Sequence, residues 1–261
     1  NMKRIGIMMI SAWFMVILIH GQEKEAAGLL KKLQSDDWSV VSIAKEKLEN
    51  MEGKSIPGII TMLQDKTEKK LINTGDLIYP GAEKFFGHGQ IIDYDIDKID
   101  IRAGWLLEEL AFQNFGFMGV HIQSDKLIDY IRFNFPNYYN NSKNRQLLDE
   151  LNEMEKRDIV RKLSAKEAEK WWKGQDGKWD RFTALIQALK SEDEKRQAKA
   201  LFYLRNGKTN CTGLSRKSYK SKVESIITEL SKSSLKRISE QSKLILLDTD
   251  FDWLKLKQAS D

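Results

Sequence analysis

The sequence predicts an all-α protein of antiparallel helix pairs, interrupted by one Gly- and Tyr-rich insertion that can hold a short β element. An internal repeat is the first observation: residues 28–50 (GLLKKLQSDDWSVVSIAKEKLEN) align without a gap to residues 184–206 (ALIQALKSEDEKRQAKALFYLRN). In both copies apolar residues recur three or four positions apart, which places them on one face of a helix. The second observation is that five helix-breaking Gly and Pro residues fall within residues 73–97.

Each copy of the repeat is predicted to form a helix, a tight turn and a second helix. Short polar residues, Ser35 and Asp37 in the first copy, separate the two apolar stretches. Their side chains suit the free N–H groups at the start of the second helix. Seven positions are identical in the two copies: Leu29/Leu185, Leu33/Leu189, Ser35/Ser191, Asp37/Asp193, Ala44/Ala200, Leu48/Leu204 and Asn50/Asn206.

The first copy and the residues after it resemble a HEAT repeat. A helix ending in Leu-x-Ser-x-Asp is followed by the series Ala44, Leu48, Gly53, Ile56, Pro57, Ile60, Leu63 and Asp65. The stretch from Asp100 to Gly116 is similar to the second half of another unit. The resemblance implies stacked HEAT-like helix pairs, as in an α-solenoid, around one continuous core. An irregular helical domain with one duplicated hairpin is the alternative.

Residues 1–21 are predicted to be a signal peptide. A short positive stretch precedes the apolar run Ile5 to Ile19, and fifteen residues fall short of the roughly 20 that a permanent membrane helix needs. We therefore expect cleavage near Gly21 and an exported protein, periplasmic or extracellular, that meets the membrane only through this segment. An uncleaved N-terminal anchor is the alternative.

The mature chain is predicted to contain two helical blocks. The N-terminal block spans residues 22–132 and includes the insertion at 73–97. An Asn- and Tyr-rich connector at residues 133–144 leads to the C-terminal block, residues 145–261, which holds the second repeat copy.

Charge is distributed unevenly along this mature chain. Residues 195–257 contain 15 Lys and Arg against 6 Asp and Glu, a net charge of +9, whereas residues 22–194 contain 26 against 31, a net of −5. The basic quarter includes Arg205, Arg216 and Lys217, which are candidate binding residues in the basic segment from Arg205 to Lys222. Residues 206–221 of this segment are predicted to form a loop. Export and the weak overall charge argue against nucleic acid. The expected partner is a protein or a surface polyanion or glycan.

The insertion is the predicted functional surface, because helix-to-helix connections are typically only about 2 to 8 residues long. Tyr79 can anchor the segment to the helices and contribute to binding. Glu83, His88, Asp93 and Asp95 supply its polar groups. These five residues are the candidate binding set of the insertion.

Asp93, Asp95 and Asp97 alternate as the first three ligands of a calcium loop do. Lys98 and Gly104, however, occupy the positions at which that loop requires Gly and a bidentate Glu. The interleaved apolar residues favour a short strand with one apolar face. Calcium bound by the three aspartates is the weaker alternative, and no other cofactor is indicated.

No motif for a serine hydrolase, a zinc protease or a nucleotide-binding loop is present in the sequence. Cys211 is the only cysteine, so no disulfide within the chain is possible. We therefore favour a non-catalytic binding module that uses a helical-repeat groove and the insertion. The alternatives are a hydrolase-type or metal-dependent enzyme with its site in the insertion around His88, and a structural module of the cell envelope.

Three tryptophans, Trp171, Trp172 and Trp179, surround a predicted turn. Burial against the end of a helical layer is the favoured interpretation. If exposed, these side chains could stack on sugar rings or anchor a partner.

Overall fold

The computed structural model describes residues 24–82, 89–248 and 254, and it confirms the all-α prediction. The helices are α1 (residues 24–33), α2 (Trp38–Asn50), α3 (Ile56–Met62), α4 (Ile99–Ala111), α5 (Leu127–Asn134), α6 (Pro136–Tyr139), α7 (Ser142–Glu150), α8 (Glu153–Lys173), α9 (Arg181–Leu189), α10 (Glu194–Asn206), α11 (Arg216–Lys222), α12 (Glu224–Leu230) and α13 (Lys236–Leu247). Short 3-10 turns lie at Glu52–Lys54, Phe117–His121 and Ser124–Lys126.

Both repeat copies form the predicted helix, turn and helix: α1 with α2, and α9 with α10. The N-cap residues Asp37 and Asp193 each accept a hydrogen bond, 2.8 Å long, from the backbone N–H two residues later. Ser35 and Ser191 in turn accept the N–H of those aspartates at 3.1 Å. The repeated Ser-x-Asp therefore builds the same helix cap twice, as predicted.

Buried apolar side chains form two core clusters. The first takes its members from α1 to α5, from the insertion, and from α7 and α8. The second comprises side chains of α9 to α13 and of the loop between α10 and α11, together with Phe112 from the end of α4, Val223 between α11 and α12, and Leu254.

Helix α8 packs with the first core cluster, although its residues fall within the predicted C-terminal block. Val160, Ala165 and Ala168 of α8 belong to the first cluster, because this helix packs against α3, α4, α5 and the turn Phe117–His121. The predicted connector at residues 133–144 is also largely helical, since it contains α6 and the first residues of α7.

The described part of the insertion is packed into the first cluster. Its strands β1 (Leu77–Ile78) and β2 (Gln90–Ile91) pair in parallel over two residues each. The predicted apolar face is confirmed, since the side chains that alternate with the aspartates are buried: Ile92, Tyr94 and Ile96. The predicted strand through residues 92–97 is wrong. The backbone there closes local turns, with the N–H of Lys98 bonded to the carbonyl of Asp95 at 3.2 Å.

No helix within residues 24–82 and 89–248 is long and apolar enough to span a membrane. The predicted signal peptide, residues 1–21, lies outside the described residues. Cleavage and export stay predictions.

Candidate functional site

A buried ion pair joins the two core clusters. Lys199 Nζ, from α10, lies 2.7 Å from Glu108 Oε2 and 2.7 Å from the hydroxyl oxygen of Tyr94. The other carboxylate oxygen of Glu108 accepts three backbone N–H groups, those of Phe115, Gly116 and Phe117. Burial, and then the Glu108 charge, raise the pKa of Tyr94 well above its usual range, so its hydroxyl stays a donor.

A second contact between the clusters is made by Arg181, at the start of α9, whose buried side chain donates from Nη1 to the Glu49 carbonyl of α2 at 3.4 Å. Its Nη1 donates to Thr209 Oγ1 at 3.0 Å and to the Asn210 carbonyl at 2.7 Å. Its guanidinium carbon lies 4.5 Å from the ring centre of Tyr203. The loop after α10 is thereby fixed against the first helix of its own cluster.

Glu49 lies buried at the end of α2, where Lys45 Nζ approaches its carboxylate to 2.6 Å. Burial alone would raise the pKa of Glu49. The positive charges of Lys45 and Arg181 outweigh this effect and hold the pKa below the ordinary value of 4.5.

The loop after α10 is also bonded to the turn after α2. Asn50 Oδ1 accepts the N–H of Asn210 at 2.7 Å, and Glu52 Oε1 accepts the N–H of Thr212 at 2.6 Å. Glu52 has a φ of 50°, a left-handed conformation that costs a non-glycine residue about 1 kcal/mol or more. The strained turn and the loop together form one wall of a cleft.

This cleft, here called the junction cleft, has a volume of about 610 Å³. Such a size lies within the range of roughly 300 to 1,000 Å³ that is typical of small-molecule sites. Its lining residues come from α1, from the end of α2 and the turn after it, from the end of α8 and the turn after it, and from the loop after α10: Glu25, Asn50, Met51, Glu52, Gly53, Lys54, Trp172, Gly177, Trp179 and Thr212.

Trp179 occupies a central place in the junction cleft. The side chain is half-buried and packs against both core clusters. Its indole nitrogen is buried and has no hydrogen-bond partner within the described part of the chain. A buried donor left unsatisfied in this way costs about 1 to 3 kcal/mol. A Cβ atom at Gly53 would lie 3.3 Å from the Trp179 ring, which explains why a small residue suits the cleft wall.

A second cleft, of about 500 Å³, is here called the amide cleft. Trp171 lines it and also packs against the junction cleft, since its ring centre lies 5.9 Å from that of Trp172 and 6.4 Å from that of Trp179. The three tryptophans are thus half-buried, between the two predicted alternatives. The amide cleft is lined by Gln113, Asn114, Phe115, Asn134, Phe135, Glu167, Lys170, Trp171, Gly174 and Gln175.

The predicted binding residues of the insertion that the structure describes do not come together in one site. Tyr79 is buried, and its hydroxyl donates to Asp97 Oδ1 at 3.0 Å. Asp95 pairs with Lys98, and Asp93 is exposed. Glu83 and His88 lie outside the described residues, so their roles stay predictions.

The three aspartates of the calcium alternative have different surroundings. Asp97 is buried and accepts the N–H of Leu71 at 2.9 Å, whereas Asp93 faces solvent. Within the described residues, no group of three or more His, Cys, Asp and Glu side chains is placed to hold a metal ion. Calcium binding stays an untested alternative.

Arg205, Arg216 and Lys217 are exposed, as a contact surface requires. The predicted loop at residues 206–221 differs from the structure, because α11 begins at Arg216. Ser215 and Ser218 cap this helix reciprocally, each side chain bonding the other's backbone N–H. A binding role for the three basic residues stays a prediction.

Sequence reasoning missed the buried charges and the amide cleft. The sequence gives a weak indication that Glu108 and Arg181 are buried, since each interrupts or borders an apolar helical stretch. It gives no such indication for Lys199, because its neighbours in the sequence resemble those of any surface lysine.

No family model, curated protein or solved structure matches the chain. The HEAT resemblance therefore stays a prediction. The residues of the two clefts are the basis on which function can be inferred.

Proposed function

We propose that this protein is a non-catalytic binding module that holds its ligand in the junction cleft. The observation that carries the proposal is that two aromatic side chains, Trp172 and Trp179, line the same cleft. Aromatic walls with a few placed polar groups are the usual composition of a ligand site. Sites also occur preferentially between separately packed units, as here between two core clusters.

The charges of the lining residues limit the ligand. Glu25 and Glu52 contribute two negative charges, and Lys54 contributes one positive charge. A neutral or weakly cationic group with an apolar face suits this balance, since the indole rings attract cations and apolar surfaces alike.

HEAT-like stacking of the helix pairs is part of the proposal. The identical Ser-x-Asp caps of α2 and α10 support a duplicated hairpin. Stacked hairpins provide grooves without inherent chemistry, which suits binding better than catalysis. Export through residues 1–21, and a protein or glycan partner outside the cell, complete the proposed role.

A ligand-observed NMR screen of the full chain against a fragment library tests the proposal. We expect aromatic and cationic fragments to bind, and Trp172→Ala to abolish most of that binding. Lys173→Ala is the matched control, because Lys173 is exposed beside Trp172 and does not line the cleft. Circular dichroism should show that both variants remain folded. If folded Trp172→Ala bound the same fragments as the control, the junction cleft would not be the site.

A further inference from the structure

We propose that the amide cleft is a second binding site, and that it takes a neutral saccharide of one or two sugar units. None of its lining residues belongs to the junction cleft, so the two sites can be tested separately. The inference rests on three properties of the amide cleft: its carboxamide groups, its aromatic floor and its balanced charge.

Four side-chain amides line the cleft, from the loop after α4, the end of α5 and the turn after α8: Gln113, Asn114, Asn134 and Gln175. Asn134 Nδ2 donates to the Tyr130 carbonyl at 2.9 Å, and Gln175 Nε2 donates to the Trp171 carbonyl at 3.1 Å. These bonds orient the two amides while using one donor of each. Every amide keeps a second N–H and an oxygen with two lone pairs.

Sugar hydroxyls match this array because each hydroxyl both donates and accepts a hydrogen bond. A carboxamide offers the complementary donor and acceptor side by side. Several neighbouring hydroxyls on one ring can therefore be bonded by amides that converge from different elements. A ligand that only donates or only accepts would leave half of these groups unsatisfied, which costs free energy in a partly buried site.

Aromatic side chains form the floor of the cleft. Phe115 and Phe135 are buried, and the ring centre of Phe115 lies 5.4 Å from that of Trp171. Trp171 is half-buried, so part of its surface remains available to a ligand. The C–H face of a sugar ring is apolar and can cover that surface, which removes both from water.

The electrostatics of the cleft exclude charged ligands. Glu167 and Lys170 lie one turn apart on α8 and their charges cancel; neither joins an ion pair within the part of the chain that the structure describes. Gly174 and Gln175 follow the C-terminal end of α8, where the helix dipole is negative. Phosphate, sulfate and carboxylate groups would therefore be repelled rather than bound.

Peptides are a poorer match than saccharides. The recurring modes of peptide recognition need a sheet edge, a long apolar groove, a proline-binding aromatic groove or an arginine cluster. The described strands β1 and β2 do not line the cleft, and no arginine does. At about 500 Å³ the cleft suits a compact ring ligand.

Isothermal titration of the full chain with cellobiose, maltose and diacetylchitobiose tests the inference, with glucuronate and trialanine as charged and peptide comparators. We expect at least one disaccharide to bind saturably and at least tenfold more tightly than both comparators. Asn134→Ala and Gln175→Ala should each weaken that binding by about twofold to tenfold, the range expected for one lost hydrogen bond. Trp171→Ala should weaken it further.

Two controls separate this inference from the proposed function. Lys166→Ala, on the exposed face of α8, and Lys54→Ala, at an exposed position that lines the junction cleft, should leave the disaccharide affinity unchanged. Asn134 is exposed, so its substitution tests the site even if Trp171→Ala does not fold. Absence of saturable disaccharide binding, equal binding of trialanine or glucuronate, or an affinity that is insensitive to both amide substitutions would overturn the saccharide site. None of these results would affect fragment binding that depends on Trp172.

Discussion

Removal of the Lys199 charge should destabilise the fold strongly, because this lysine is the partner of the fully buried Glu108. At the observed separation of 2.7 Å, and with an effective dielectric constant of about 20, Coulomb's law gives roughly 332/(20 × 2.7), or about 6 kcal/mol of attraction. The cost of taking both charges out of water offsets part of that attraction. In Lys199→Met the Glu108 carboxylate stays buried, and no positive charge remains to offset the cost of its desolvation. We therefore expect the free energy of unfolding to fall by about 3 to 5 kcal/mol. Such a loss is a large fraction of a typical stability of about 5 to 15 kcal/mol.

Urea unfolding, followed by circular dichroism, measures this loss. Lys195→Met is the matched control, since it removes the same charge from an exposed position on the same helix and should cost less than about 1 kcal/mol. Adding Glu108→Gln to Lys199→Met should recover part of the stability, because the amide oxygen can still accept the three backbone N–H groups without carrying a charge. Equal losses for Lys199→Met and Lys195→Met would refute the reasoning.

Three further predictions concern the helix pairs and their buried charge. Leu48→Ala and Leu204→Ala remove fully buried side chains at matching repeat positions, so each should cost about 2 to 5 kcal/mol in urea unfolding; an unchanged midpoint for either would contradict its place in a packed hairpin. Asp193→Ala should cost about 0.5 to 2 kcal/mol through loss of the N-cap, and Asp37→Ala should lower the urea midpoint for the same reason. Substitution by Asn should cost less at both positions, and losses equal to those of Ala would argue against capping. The depressed pKa of Glu49 contributes stability that is present above pH 4.5 and is lost as the pH falls through the folded-state pKa. Glu49→Gln should therefore flatten this part of the acid-unfolding curve. An unaltered curve would assign the effect to other groups.

The helical hairpins could be predicted because their signals are local. Apolar spacing fixes which side of each helix faces the core, and the Ser-x-Asp side chains cap the second helix through backbone groups two residues away. Both features act within one or two helical turns, so they have the same result wherever the hairpin lies in the fold.

The conformation of the insertion could not be predicted in the same way. Its length and glycines predicted a functional surface, which stays a prediction, and its alternating apolar residues predicted a strand. The described part supplies Leu77, Tyr79 and Tyr94 to the first core cluster, in keeping with the predicted anchoring role of Tyr79. The only described strand pairing covers two short segments. Alternation indicates that one face is buried, but it does not specify the partners of the backbone. Here Ile92 bonds to Ile78 and Asp97 to Lys69, while the backbone between them closes local turns.

The amide cleft and the junction cleft could not be predicted from the sequence. Asn114, Asn134 and Gln175 are ordinary polar residues near the ends of separate helices, and they become one site only when α4, α5 and α8 pack together. The tryptophan cluster was visible as a group of aromatic residues. Its division between two clefts depends on how the end of α8 meets the loops around it.

By itself, the sequence determined the helical class, the duplicated hairpin and the caps of its second helices, because each depends on neighbours a few residues away. The tertiary structure alone decided which polar groups are buried. Lys199 and Glu108 are separated by 91 positions in the chain, and their charges meet only when α10 packs beside α4. The physical reason is that an ion pair and a cleft both require distances of a few ångströms between distant segments, and the packing of the two core clusters sets those distances.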